Sequence, residues 1–277
     1  MNNFYWTVYK NLEKELIELS NFIHIDDNQL GIYSIKIAEL LLRTSVEIES
    51  ISKAMYFKFG GTKPDDSNLF FDTDCIDFFE NKWKLSKKQI QISAPNFYFA
   101  RPENQVLTPL KKANKRGTSS SDWQKAYQAV KHNRVTSLPK ANLRHLIHAM
   151  AALYLLNIYF NDISFQLDKD SSGVNFDRNL GSSIFSIKIH INITINANTI
   201  YTKNSDYEEC VYLMKVTDDT RIVVQKIIEE INQKTTEKTN LEIINQIKNS
   251  KLINFDDIKN KIKELNDELY SKMMTEV

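Results

Sequence analysis

The residues able to do chemistry gather between positions 123 and 148. In Trp123-Gln-Lys-Ala-Tyr127-Gln-Ala-Val130-Lys131-His132-Asn133-Arg134, the spacing predicts that Trp123, Tyr127, Val130 and Arg134 share one helical face, with Lys131 and His132 at the helix end. Rings beside cations make a shallow seat for a phosphate or an RNA strand, because rings stack on bases while cations hold phosphates. The same cations also complement the partial negative charge of a helix C-terminus, which is a structural role. Further on, Arg144-His145-Leu146-Ile147-His148 puts Arg144 and His148 one turn apart on one face. A near-neutral imidazole can move a proton while a guanidinium holds the scissile phosphate. RNA cleavage through its own 2′-hydroxyl would then need no metal. The commoner role of such a histidine, His145 or His148, is that of a helix-surface or core-edge residue satisfied by its neighbours. Arg43 and Glu47, also one turn apart, form an intrahelical ion pair or else face the Lys131/His132/Arg134 end. In the second case Glu47 or Glu49 neutralises Lys131 or Arg134.

These residues need a helical frame. Apolar positions recur at three- and four-residue intervals from Phe4 to Ile23, and again from about Leu30 to Phe59, where Gly60-Gly61 supplies a stop. Ser121 and Gln124 form a capping-box pattern for a helix running to about His132. Pro139 suits the first turn of a helix continuing through Tyr159. Residues 1–167 therefore read as a four-helix bundle with an insertion at about 62–117. The insertion holds four of the five prolines and the alternating run Gln89-Ile90-Gln91-Ile92. Asn96-Phe97-Tyr98-Phe99 reads as an extended piece folded back over the helices, since its rings would otherwise stand in water. The basic loop Lys111 to Gly117 reads as a solvated connector. Gly60-Gly61-Thr62-Lys63 lacks the spacing of a phosphate-binding P-loop and follows a helix where that motif needs a strand.

Beyond a polar connector at 168–173 the pattern changes period. Phe185, Ile187, Ile189, Ile191, Ile193 and Ile195 alternate with polar residues, which predicts a long half-buried strand paired with Cys210–Val216. Ile227, Ile228 and Ile231 then line one helix. Phe255, Ile258, Ile262, Leu265, Leu269 and Met273 give a near-heptad stripe in the last, which suits a dimer or partner seam or a helix folded onto its own domain. Residues 168–277 form an α+β C-terminal region on this reading, and the fold class is mainly α with a smaller β part.

Composition narrows the function classes. Lys and Arg number 36 against 35 Asp and Glu, a formal net charge of +1, so any pull on nucleic acid must come from a local patch. Cys75 and Cys210, the only two cysteines, make no disulfide framework and lack zinc-site spacing, so no metal or cofactor is expected. The N-terminal residues do not read as a signal peptide. The longest apolar run, Ala149 to Phe160, falls short of the ~20 residues a membrane helix needs. A cytoplasmic protein with no membrane partner is expected.

The pattern Trp-x3-Tyr-x2-Val-Lys-His-x-Arg, followed by a helix opening at Ala141-Asn142, resembles bacterial helical proteins related to the HEPN superfamily (higher eukaryotes and prokaryotes nucleotide-binding). The resemblance covers about residues 1–165 and includes Arg43-Thr44-Ser45-Val46-Glu47-Ile48-Glu49. It implies a HEPN-like four-helix bundle, RNA as a partner, and a homodimer acting in bacterial defence or as a toxin. Catalytic members are metal-independent ribonucleases with an Arg, a polar neighbour, and a His after four to six intervening residues. The nearest match here, Arg144 to His148, is one residue short of that spacing. The resemblance thus implies His132, Arg134, Arg144 and His148 as catalytic candidates and Trp123, Tyr127, Lys131, Arg43 and Glu47 as binding candidates. The alternative is a non-catalytic scaffold that meets protein partners through the bundle and the C-terminal helix.

Overall fold

Local capping chemistry and apolar spacing together set the helices of the computed structural model, which describes residues 3–64, 68–161, 177–189, 205–211, 218–249, 260 and 262–267. Helix α1 (Phe4–Leu19) opens where Asn3 Oδ1 accepts from the Trp6 amide at 3.3 Å. It stops before the expected Ile23, with the Ser20 hydroxyl donating to the Ile17 carbonyl. Strand β1 (Ile25–Asp26) follows, and a 3₁₀ turn occupies Gln29–Gly31. Helix α2 (Ile35–Lys58) starts later than Leu30 because Ser34 caps it, its Oγ accepting from the Ile37 amide at 3.1 Å. Gly60 ends that segment with φ +90, a conformation side chains disfavour.

The stretch read as an insertion is built into the frame. A π-helical turn, Phe71–Ile76, runs into α3 (Asp77–Trp83). Strands β2 (Ile90–Ile92) and β3 (Phe97–Tyr98), the single turn α4 (Pro102–Gln105) and β4 (Val106–Leu107) follow. The rings of Phe97 and Phe99 are buried, as expected, and β3 pairs in parallel with β1. Helix α5 (Asp122–His132) carries the expected cap, with the Ser121 amide and hydroxyl both donating to Gln124 Oε1. A separate turn α6 (Arg134–Ser137) and a 3₁₀ turn at Leu138–Lys140 lead to α7 (Leu143–Asn161). Pro139 therefore sits before the long helix and not in its first turn.

Every residue of α7 from Ala149 to Ile158 is buried. A helix apolar on all sides belongs at the centre. The one polar residue in that run, Asn157, is satisfied: its Nδ2 donates to the Leu153 carbonyl at 3.0 Å and its Oδ1 accepts from Asn3 Nδ2 at 3.1 Å. Helices α2 and α7 pack against each other and each against α1 and α5, so these four helices form the frame.

The chain divides into two compact units, residues 1–163 with 176–213 and residues 164–175 with 214–277. This division differs from a boundary at 167, because strand β5 (Phe185–Ile187) joins the first unit. It pairs antiparallel with β2, with Ile90 opposite Ile187 and Ile92 opposite Phe185, in a three-stranded sheet of order β4-β2-β5. Of the pairing expected with Cys210–Val216, the described residues show the Val211 amide donating to the Lys188 carbonyl at 2.9 Å. Phe185, Ser186 and Ile187 are all buried, so the described part of this strand is covered on both faces and not half-buried. Its predicted continuation from Ile191 to Ile195 lies outside the described residues, as does 212–217.

In the second unit, α8 (Asp218–Asn249) contains Ile227, Ile228 and Ile231. Residues 262–267 are helical, with Leu265 buried. Phe255, Ile258, Leu269 and Met273 of the predicted seam lie outside the described residues. Among the described residues no helix is long and apolar enough to cross a membrane.

Candidate functional site

Asn133 separates the predicted cluster. Its backbone leaves helical geometry (φ −148, ψ 84), and its side-chain oxygen accepts from the Thr136 amide at 3.3 Å, capping a new turn. An asparagine is better as a cap than inside a helix, because its side chain competes for backbone amides. Arg134 therefore begins α6 and does not continue the Trp123 face. Trp123, Tyr127 and Val130 point into the core, with the Trp123 indole N–H donating to the Pro109 carbonyl at 2.9 Å. They form no open stacking platform. Lys131, His132 and Arg134 are exposed, and none of the three takes part in an ion pair among the described residues. Lys131 lies over the Tyr127 ring, 5.3 Å from its centroid.

The expected roles of Arg43 and Glu47 change as well. Arg43 Nη1 donates to Glu15 Oε1 of α1 at 2.7 Å, and Lys36 binds the same carboxylate, so Arg43 ties α1 to α2. Burial pushes the Glu47 carboxyl above its ordinary range while Arg43 opposes the shift. Glu47 neutralises neither Lys131 nor Arg134. Glu49 is the α2 carboxylate that reaches α5: burial, with the charge of Glu49 beside it, holds the Tyr127 phenol well above its usual range.

Arg144 and His148 do share a face of α7, at the other end of α5. Arg144 Nη1 donates to Asn104 Oδ1 at 3.0 Å, and Asn104 in turn donates to Asp27 at 2.7 Å. His145 Nδ1 lies 2.6 Å from the Lys140 carbonyl. His148 is largely covered. Burial, with Arg144 and His145 adding repulsion, pushes its imidazole down to about 4. Asp122, the first residue of α5, acts electrostatically on both histidines. Lys131 lies nine residues further along α5, roughly 14 Å at the helical rise. His132 and Arg134 are thus not brought together with Arg144 and His148.

A cavity of about 530 Å³ stands elsewhere, between α2, the π-helical turn, the basic loop and α5. Glu49 and Lys53 enter from α2, Phe70 and Asp72 from the turn, and Lys115 and Arg116 from the loop. Gln124 and Gln128 of α5 complete it. The π-helical turn opens where Asp74 Oδ2 accepts from the Phe70 amide at 2.8 Å and from Lys63 at 2.7 Å. This aims Asp72 at Arg116, whose Nε lies 2.8 and 2.9 Å from the two carboxylate oxygens and whose Nη2 lies 2.8 Å from one. The guanidinium also covers the Phe70 ring at 3.8 Å. The loop read as a solvated connector is therefore partly a cavity wall. Its charge run was visible in the sequence, but its partner Asp72 lies 44 residues away.

Gln124, Gln128 and Lys131/His132 follow at helical spacing, so the exposed basic end of α5 continues the face that lines the cavity. Thr62 and Lys63, by contrast, give their backbone amides to the Tyr56 hydroxyl at 3.1 and 3.2 Å. The glycine-rich segment so bound is no phosphate cradle. Among the described residues no group of three or more His, Cys, Asp or Glu could hold a metal.

No family model, curated protein or solved structure matches this chain.

Proposed function

We propose that the protein binds single-stranded RNA along the basic end of α5 and the adjoining cavity. The observation carrying this reading is the exposure of Lys131, His132 and Arg134, free of ion pairs among the described residues, at and just past the end of the helix whose Gln128 lines a cavity containing Lys53, Lys115 and Arg116. In a chain with a net charge of only +1, such a local patch is what a phosphate backbone would meet. Fluorescence anisotropy with a labelled 12-nucleotide RNA tests it. Wild-type protein should bind, and the double variant Lys131→Ala/Arg134→Ala should bind about tenfold more weakly at roughly 0.1 M salt. No binding by folded wild-type protein overturns the proposal.

Metal-independent cleavage is a second reading, favoured by Arg144 being fixed by Asn104 one turn before His148. With its imidazole held at about 4, His148 is neutral at pH 7 and too weak a base to suit general acid–base work there. This supports binding over cleavage within one chain. Gel analysis of the same RNA mixtures in EDTA reads out cleavage directly, and loss of product in a folded His148→Ala variant would establish it.

A further inference from the structure

Three cations and two carboxylates line the cavity. Asp72 is held by Nε and Nη2 of Arg116, while Glu49 stands beside the Tyr127 phenol, which is neutral and leaves the carboxylate its charge. The cations outnumber the carboxylates by one. Lys53 is half-buried on α2 and Lys115 is exposed on the loop, and neither has an ion pair among the described residues. Nη1 of Arg116 takes no part in the bonds to Asp72. That guanidinium is pinned between a carboxylate and the Phe70 ring, so little ordering remains to be done when a ligand arrives.

We infer that this cavity takes a phosphate monoester, the compact dianionic end group of a phosphorylated ligand. Lys53 and Lys115 supply charge, and Arg116 supplies the fixed donor. The volume, about 530 Å³, is in the range of small-molecule sites and leaves room for an attached sugar. Glu49 sets the limit on the other side. A carboxylate in the wall repels a second anionic group and accepts a hydroxyl, so the site suits one charged end with a sugar behind it. The inference rests on the RNA-binding reading for one of its two sources, the phosphorylated end of an RNA strand. The other source is a free sugar phosphate.

The test compares oligoribonucleotides of one sequence carrying a 5′-phosphate, a 3′-phosphate or hydroxyls only, with ribose 5-phosphate and ribose measured separately by calorimetry. One phosphorylated end should bind at least tenfold more tightly than the hydroxyl-ended strand. Lys53→Met should abolish that preference, so that phosphorylated and hydroxyl-ended strands bind this variant equally, and Lys115→Ala should reduce it. Circular dichroism confirms that the variants are folded. If no RNA of any kind binds, the RNA reading fails, and binding of ribose 5-phosphate but not ribose, lost in Lys53→Met, assigns the site to the free sugar phosphate. If RNA binds with no preference for a phosphorylated end and ribose 5-phosphate gives no heat, the inference is overturned while the RNA reading stands. A phosphate preference that survives both Lys53→Met and Lys115→Ala also overturns it.

Discussion

His148 should make the fold acid-sensitive. Its neutral form is the buried one, with a value of about 4 in the folded chain against an ordinary 6.5. Above pH 6.5 neither state binds the proton and nothing is lost. As pH falls from 6.5 towards 4 the unfolded chain takes up a proton that the folded one refuses, so stability declines across that window, by up to about 3 kcal/mol. His148→Leu should flatten this part of the urea-denaturation profile relative to wild type, and parallel profiles would show that the imidazole is solvated. Glu13 is shifted in the same direction for the opposite reason, since here it is the charged form that the fold favours. Burial alone would raise its carboxyl, but Lys10, the Ser182 and Tyr9 hydroxyls and the Ser183 amide outweigh it and hold the group below its ordinary range. Its stabilisation is present above the unfolded carboxylate range and is lost as pH falls through the folded value. Glu13→Gln keeps the shape but turns an amide towards donors, which should cost about 2–4 kcal/mol at neutral pH in chemical denaturation. At this scale the one-turn spacing of Arg144 and His148 is legible in the sequence. The burial of His148 is not, because it depends on what packs over α7.

Sheet β4-β2-β5 holds together positions as distant as Val106 and Ser186, both opposite Gln91. Phe185 on β5 is fully buried and stacks in a tilted arrangement with Tyr154 of α7 at 5.6 Å. Phe185→Ala should therefore cost about 3–5 kcal/mol. Hydrogen exchange should quicken in β2 as well as in β5, and a change confined to β5 would contradict the shared sheet. The four long helices of the frame are visible in their apolar periodicity, and α7 in its unbroken apolar run. Strand pairing is less visible, since alternation says that a strand has faces and not which strand lies beside it. The continuous face from Trp123 to Arg134 fails for a local reason. Asn133 is a stronger cap for the next turn than a member of α5, and periodicity alone does not weigh that competition.

For the whole molecule, a net charge of +1 gives no long-range attraction, so RNA affinity rests on the few groups of the patch and should fall steeply with salt. Three to four phosphate contacts predict a slope of log affinity against log salt of roughly −2 to −3, with Lys131→Ala/Arg134→Ala shallower by about 1.4. A slope unchanged in the double variant would place the contacts elsewhere. The composition does not reveal the cavity beside that patch, because Asp72, Lys53 and Arg116 meet only once α2, the π-helical turn and the loop are folded together. The late arrival of β5 has a consequence for synthesis. A nascent chain that has emerged only through Asn161 has its four long helices complete, yet β2 still lacks the neighbour on one side, and an open strand edge is a template for pairing with another chain. Until residues 185–187 leave the ribosome, the first unit passes through an interval of exposure to self-association, and a polypeptide terminated after Asn161 should be recovered largely in inclusion bodies.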